Sequence, residues 1–105
     1  MIRTPLCDLL GIEYPIVQGG MAWIATPELA SAVSNAGGLG IVGAGNAPAE
    51  QVRLELRRTR GLTDRPFGAN VPLFTPGAEE AIQAFIEEGV AVVTTGGGDA
   101  GPYLE

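Results

Sequence analysis

Four short stretches of this sequence combine glycines with a single amide or hydroxyl side chain, a pattern that suits the binding of a flat polar ligand. They are Gln18–Trp23 (QGGMAW), Gly43–Asn46 (GAGN), Gly68–Asn70 (GAN) and Thr94–Asp99 (TTGGGD). Because glycine has no side chain, a ligand can approach the backbone closely and reach its N–H groups. A glycine in any one stretch also serves a tight turn, but the recurrence of the pattern in all of them favours a binding site.

The same stretches lack the side chains that enzymes use for acid–base, nucleophilic or metal chemistry. The chain has no histidine, a single cysteine (Cys7), and no carboxylate pair or Ser–His pair beside the glycines. Without the commonest general base and metal ligand, the sequence predicts no metal site and assigns no catalytic residue. We therefore expect a cofactor that carries the chemistry itself and is held by backbone and amide groups.

Composition and charge exclude several classes of partner. The formal net charge is −6, and an acidic chain lacks the basic surface that nucleic-acid-binding proteins use. No apolar run approaches the roughly 20 residues of a membrane span, and Asp8 and Glu13 interrupt any signal-peptide core. A lone cysteine also excludes a disulfide framework. We expect a cytoplasmic protein that binds neither nucleic acid nor membrane.

The elements that must position these stretches are short apolar runs separated by amphipathic segments. Each run is too short for a helix and is flanked by Gly or Pro, which is typical of buried parallel strands. The predicted strands are Pro15–Gln18, Leu39–Val42, Phe67–Leu73 and Val90–Thr95. A βα repeat of this kind builds an open doubly wound sheet or a (β/α)8 barrel. In both folds ligands bind beyond the carboxyl ends of the strands, where the glycine stretches lie.

Three helices are predicted between the strands. The first follows Thr26, whose hydroxyl can accept a hydrogen bond from a free backbone N–H of the helix, and Pro27 starts its first turn. Gly37 is expected to end this helix in a left-handed conformation. The other helices are predicted from Pro48 to about Arg60, and from a second Thr–Pro start at Thr75–Pro76 to Gly89.

The letters of a dinucleotide-binding turn, G-x-G-x-x-G, occur at Gly38, Gly40 and Gly43. Such a turn must follow a strand and open a helix, so that a pyrophosphate meets the helix N-terminus. Here Gly37 and Gly38 close a helix, and Gly40 lies inside the next strand. We interpret the first two as a helix-to-strand turn and Gly40 as a close-packing position. A nucleotide-binding α/β domain stays an alternative only because of the turn that begins at Gly43. Gly43 and Gly45 keep a ligand-binding role.

Longer motifs resemble one family of flavin-dependent enzymes. The stretch Tyr14–Trp23, together with Ala36–Ile41 and Gly43–Pro48, looks like the nitronate monooxygenase (2-nitropropane dioxygenase-like) family. The likeness continues through Leu62–Asn70 and Glu87–Gly96, so that it covers nearly the whole chain. Within the family the sequence is most similar to the enoyl-[acyl-carrier-protein] reductase II group.

The resemblance implies a parallel α/β fold, the N-terminal part of a (β/α)8 TIM barrel with four strands and three helices, which binds FMN at its mouth. It implies that Gly20, Met21 and Ala22 contact the flavin through the backbone and that Asn70 contacts it through its side chain. It also implies NAD(P)H as co-substrate and a small-molecule or acyl-carrier-protein-bound substrate, with reduction of enoyl-acyl-carrier-protein in fatty acid synthesis. Oxidation of alkyl nitronates with O2 is the alternative.

The length of the chain is short for this fold. A whole barrel needs about 200 residues or more, whereas this chain has 105. We therefore expect residues 1–105 to form a single partial domain, the N-terminal half of the barrel. The resemblance implies a catalytic histidine, and this chain has none. We therefore expect no turnover by these residues alone. Unpaired strand edges would favour a homodimer. A non-catalytic half-barrel module is the alternative of another class.

Overall fold

Apolar runs and amphipathic segments alternate along the chain and fold into a sheet covered by helices in the computed structural model, which describes residues 2–104. The elements are α1 (Pro5–Leu10), β1 (Val17–Gln18), α2 (Pro27–Asn35), β2 (Leu39–Gly43), α3 (Ala49–Leu62), β3 (Phe67–Pro72), α4 (Ala78–Glu87), β4 (Val92–Gly96) and a 3₁₀ turn at Gly101–Tyr103.

The strands form one parallel sheet in the order β1-β2-β3-β4. In a doubly wound sheet the strand order reverses at a switch point, and these strands follow one another without a reversal. Because parallel crossovers are right-handed, a consecutive order places the helices on one face, and α2 packs against α3 and α3 against α4. This topology is that of a (β/α)8 barrel, and it decides between the two folds that the sequence left open.

The main core lies between the sheet and the helices. Successive side chains of a strand point to opposite faces, so alternate residues of β2 and β3 face the apolar stripes of α3 and α4. The largest fully buried side chains of this core are Val42, Val52, Leu56, Val71 and Phe85. The two central strands are therefore anchored to the helices along their whole length.

A smaller cluster covers the opposite face of the sheet at its amino end. Leu39 and Ile41 of β2 pack there against Cys7 of α1 and against Ile12. The three helices predicted from the sequence did not include α1, because six residues are too few to display a helical period. Local signals for it were Gly11, which ends the helix with a φ of +69°, and Thr4–Pro5, the same residue pair that starts α2.

The central strands differ from the outer ones in burial. Residues of β2 and β3 are nearly all buried, as predicted. The prediction of buried strands was wrong for β1, which is two residues long, and for β4, which is half-buried at best. Val17 is 44% exposed and Val93 is 42% exposed. An outer strand has a neighbour on only one side, so its apolar residues are covered less.

Helix starts follow the predicted signals at one Thr–Pro pair and not at the other. The Thr26 hydroxyl accepts a hydrogen bond from the backbone N–H of Leu29 at 3.3 Å, as predicted. The same prediction was wrong at Thr75, whose hydroxyl donates to the backbone oxygen of Pro72 at 2.8 Å, while α4 begins at Ala78. Thr75 therefore holds the end of β3 and does not cap the helix. No helix within residues 2–104 is long and apolar enough to cross a membrane.

Candidate functional site

The carboxyl ends of the strands and the loops that follow them meet at one edge of the sheet. The parallel register places Gly43 beside Asn70 and Asn70 beside Thr94. The loop that follows β1 and leads to α2 at Pro27 folds over these residues. All four glycine-containing stretches therefore contribute to one edge, as a sheet of this topology requires.

Gly20 lies directly against the side chain of Asn70. A Cβ built on Gly20 would lie 2.5 Å from the Cβ of Asn70 and 3.2 Å from its Nδ2. Protein interiors are packed at van der Waals distances, so any larger residue at this position would displace the amide or the loop. Glycine is required here because the backbone of the loop after β1 lies directly against the Asn70 side chain of β3.

The backbone of Met21 lies over Gly43 of the second strand. A Cβ built on Gly43 would lie 2.9 Å from the backbone oxygen of Met21. That oxygen accepts hydrogen bonds from the N–H groups of Ile24 and Ala25, at 3.1 and 2.8 Å, and the Ala25 oxygen accepts from the Gly43 N–H at 3.0 Å. These bonds tie the loop to β2, so residues 20–22 have a position fixed by the sheet.

The backbone N–H groups of Gly20, Met21 and Ala22 donate no hydrogen bond to another described residue. None of the hydrogen bonds within residues 2–104 uses them, and Met21 and Ala22 are exposed. Backbone donors without a protein acceptor pair with water or with a ligand. Three successive free donors fit the ring nitrogens and oxygens through which proteins bind flavins. The contact between these residues and FMN stays a prediction.

The side chain of Asn70 uses one of its two ends within the described part of the chain. Its Oδ1 accepts a hydrogen bond from the Thr94 Oγ1 at 2.8 Å, and no other hydrogen bond there involves the side chain. Asn70 is half-buried, and every buried side-chain nitrogen or oxygen among the described residues has a partner, so its Nδ2 group is accessible. A free amide donor beside Gly20 fits the predicted side-chain contact to a flavin. We call Gly20, Met21, Ala22 and Asn70 the donor cradle.

Gln18, which begins the first glycine-containing stretch, serves the sheet and does not join the donor cradle. Its Oε1 accepts from the backbone N–H of Ile41 at 3.3 Å, and its Nε2 donates to the Ile41 oxygen at 3.1 Å. The side-chain amide thus continues the hydrogen bonding between β1 and β2 where β1 ends. This role explains why a strand of two residues is sufficient to hold the loop.

A cleft of about 520 Å³ opens beside the donor cradle, between the loops that follow β1 and β2. Small apolar residues and the Trp23 ring line it, and Gln51 and Glu55 of α3 add polar groups. Trp23 is 89% exposed and has a φ of +69°, a left-handed conformation that costs a non-glycine residue about 1–2 kcal/mol. Strain of this kind concentrates at functional sites. Gln51 and Glu55 were not predicted as site residues, and the sequence indicates them only by their i, i+4 spacing on one helix face.

Shifted pKa values occur among surface ion pairs and not among the four residues of the donor cradle, which have no ionisable side chain. Arg57 donates to both carboxylate oxygens of Glu88, at 3.1 and 3.0 Å. These hydrogen bonds lower the pKa of Glu88 and raise that of Arg57. The donor cradle itself therefore offers hydrogen bonds and no acid or base.

Comparisons with known proteins identify a family, solved structures and sequences that are similar to this chain. The model of the nitronate monooxygenase family matches residues 3–97. FabK from Thermotoga maritima has a similar structure, with a TM-score of 0.97 and 48% identity over 100% of this chain and 34% of that chain. The (3aS,4S,5R,7aS)-5-hydroxy-7a-methyl-1-oxo-octahydro-1H-indene-4-carboxyl-CoA dehydrogenase from Mycobacterium tuberculosis is 40% identical over 93 residues, 89% of this chain and 26% of that protein. A nitronate monooxygenase from Paraburkholderia phytofirmans is 50% identical over 79 residues, 75% of this chain and 22% of that protein.

The comparisons confirm the fold and the resemblance that the motifs indicated. The chain spans 22–34% of the length of these relatives, and its four parallel strands with their helices match the N-terminal part of a TIM barrel. The relatives are oxidoreductases of the FMN type. Since the family model covers nearly all of its residues, the chain belongs to the nitronate monooxygenase family.

Proposed function

We propose that this chain supplies one wall of an FMN site in an oxidoreductase that reduces enoyl-acyl-carrier-protein with NAD(P)H in fatty acid synthesis. The observation that carries the proposal is the donor cradle. Three free backbone N–H groups, at residues 20–22, and the free amide of Asn70, which Gly20 contacts, lie at the carboxyl ends of the strands. Ligands of barrel enzymes bind at this edge.

The contribution of the chain's own residues is to bind and orient the cofactor. FMN, when bound, supplies hydride transfer between a nicotinamide and the substrate. Residues 20–22 donate from a loop that is tied to β2, and Asn70 donates from β3. Because both are held by the sheet before a ligand arrives, the donors need no reorganisation when they bind.

A thioester substrate is the better supported choice. The match to FabK, of the reductase type that the sequence resembles, extends over 100% of the chain at 48% identity. The relative from Mycobacterium tuberculosis acts, by its name, on a carboxyl-CoA, which is also a thioester. The cleft beside Trp23 has mainly apolar walls, as small-molecule pockets do, and so suits the hydrocarbon part of an acyl group.

Oxidation of alkyl nitronates with O2 is the second candidate. The description of the family and the 50% identity to the monooxygenase from Paraburkholderia phytofirmans favour it. The donor cradle serves both reactions, because each needs a flavin with one accessible face and fixed donors at its edge. Residues that choose between the substrates are expected on the strands that the relatives have in addition.

The described residues act, in this proposal, as a partial domain that does not turn over substrate alone. The chain has no histidine, and the exposure of Val93 on the outer strand β4 leaves an apolar edge for further strands or for a second copy. We expect the working protein in the cytoplasm, with NADH or NADPH as reductant.

The test is to express the protein from its complete reading frame and to titrate it with FMN, following the quenching of flavin fluorescence. NAD(P)H-dependent reduction of a crotonyl thioester is then compared with O2 consumption on an alkyl nitronate. We expect FMN binding and thioester reduction. Nitronate oxidation without thioester reduction would favour the second candidate, and a protein that binds NADH but not FMN would overturn both. Residues 1–105 alone should bind FMN weakly and oxidise no NADH.

A further inference from the structure

Thr94 and Asn70 form a side-chain pair across the two strands at the carboxyl edge. The register of β3 and β4 places the residues beside each other, and both are half-buried. The Thr94 Oγ1 donates to the Asn70 Oδ1 at 2.8 Å, a good distance for a hydrogen bond between a hydroxyl and an oxygen acceptor. The pair lies on the face of the sheet opposite the helices, where Gly20 also lies.

In this structure the hydrogen bond with Thr94 leaves the donor end of the amide for a ligand. An asparagine amide has one acceptor end and one donor end, and in this structure the acceptor end is occupied by Thr94. The donor end, Nδ2, then lies on the side of Gly20, where a Cβ would come within 3.2 Å of it. A flipped amide would instead present its oxygen beside Gly20 and turn Nδ2 toward Thr94.

We propose that Thr94 is a positioning residue, which holds the Asn70 amide with its Nδ2 donor toward the cofactor. The inference rests on the proposed function, because it assigns Thr94 a role in the affinity of the FMN site. Thr94 does not itself belong to the donor cradle. It acts through Asn70, so that its contribution disappears when the Asn70 amide is removed.

The neighbouring residue provides a matched control. Thr95 is the same residue type on the same strand, it is exposed, and none of the side-chain hydrogen bonds within residues 2–104 involves it. Its register partner is Val71, which faces the helix-side core. A substitution at Thr95 therefore changes the strand in the same way without touching Asn70.

The experiment measures the FMN dissociation constant and the visible spectrum of the bound flavin for the protein expressed from its complete reading frame. Loss of one hydrogen bond predicts a rise of about three- to tenfold in the dissociation constant for Thr94→Val. Thr94→Ser should restore wild-type affinity, and Thr95→Val should leave it unchanged. In an Asn70→Ala background, Thr94→Val should have no further effect, since the two residues act as a pair.

Two results would overturn the positioning role while the wild type still binds FMN. One is unchanged affinity in a folded Thr94→Val variant, and the other is an equal loss with and without the Asn70 amide. Thermal unfolding without FMN checks the fold, and if Thr94→Val does not fold, the comparison of Thr94→Ala with Thr94→Ser decides in its place. A wild-type protein that binds no FMN would overturn the proposed function as well, so the two failures are distinguishable.

Discussion

Two groups of glycines look alike in this sequence, and they differ in whether the fold uses their backbone N–H groups. In the first group, Gly37, Gly38 and Gly40, the protein itself fills the space that a side chain would need. A Cβ on Gly40 would overlap the backbone carbonyl group of Ala30, and a Cβ on Gly38 would lie 2.8 Å from the backbone oxygen of Ile16. The first group therefore packs α2 onto the sheet.

The second group is Gly19 and Gly20, in the loop that follows β1. The Cβ position of Gly20 is also filled, by the Asn70 side chain, so the two groups differ in their backbone donors and not in their packing. In the first group the N–H of Gly37 donates to the Ser34 oxygen at 3.1 Å, and the N–H of Gly40 donates to the Ser34 Oγ at 3.0 Å. In the second group, around Gly20, no described hydrogen bond uses the N–H groups of residues 20–22. A glycine-rich stretch is thus a binding site only where the fold leaves its donors free. This difference explains why the letters of a dinucleotide turn at Gly38 do not make one.

The substitution Gly40→Ala tests the packing role and should have the largest effect. The new Cβ would overlap the Ala30 backbone, so α2 and β2 must separate. Overpacking costs about 1–3 kcal/mol and more when the backbone has to move, and we expect a loss of about 3 kcal/mol or more in urea unfolding. Gly61→Ala in α3, where a Cβ would meet nothing within 4 Å, is the control and should be neutral or stabilising. An equal loss in both variants would contradict the packing role.

The substitution Ser34→Ala tests the Gly40 N–H, a backbone donor of the first group that is paired within the fold. The Ser34 hydroxyl is fully buried and accepts the Gly40 N–H at 3.0 Å. Its removal leaves a buried donor unpaired, which costs about 1–3 kcal/mol. Ser31→Ala is the control, because the buried Ser31 hydroxyl only donates to the Glu28 carbonyl of its own helix. Thermal unfolding of the two variants should separate them, and similar midpoints would show that the Gly40 donor does not need its acceptor.

Much of the fold could be predicted because its signals are local. Each central strand is a short apolar run between turn residues, and Thr26 caps α2 through a residue three positions away. Thr75 carries the same letters, yet its hydroxyl bonds to Pro72, because the end of β3 offers an acceptor that the sequence does not display. The exposure of β1 and β4 depends on which strands stand beside them.

The site was less predictable because its contacts join parts of the chain that are distant in sequence. The contact between Gly20 and Asn70 joins the loop after β1 to β3 and depends on the strand order and register. The residues of the donor cradle came from the resemblance of whole motifs, and no spacing rule selects them. The pairing of Asn70 with Thr94 and the left-handed φ of Trp23 became visible only in the structure.

The substitution Gly20→Ala tests the second group and should affect binding more than folding. A Cβ on Gly20 would meet only side-chain atoms of Asn70, which is half-buried and can shift, so we expect the free energy of unfolding to fall by only about 1 kcal/mol. Misplaced donors should raise the FMN dissociation constant by about tenfold or more. Gly19→Ala is the matched control, since a Cβ there would meet nothing within 4 Å. If Gly20→Ala keeps wild-type affinity for FMN, the donor cradle is not the cofactor site.

The smallest effect is expected from the ion pairs between α3 and α4 in the helix layer. Hydrogen bonds from Arg57 lower the pKa of Glu88 below its ordinary value of 4.5. A carboxyl whose pKa is lowered by folding stabilises the folded state above that value and stops doing so as the pH falls through the folded pKa. The thermal midpoint of Glu88→Gln should therefore lie slightly below that of the wild type at pH 7, and the gap should close in acid.

The control is Glu79→Gln, at an exposed residue of α4 outside the described ion pairs, which should show no such pH dependence. If the gap between Glu88→Gln and the wild type persists in acid, the effect comes from packing and not from the ion pair. FMN affinity should be the same in both variants, because the helix layer and the donor cradle do separate work.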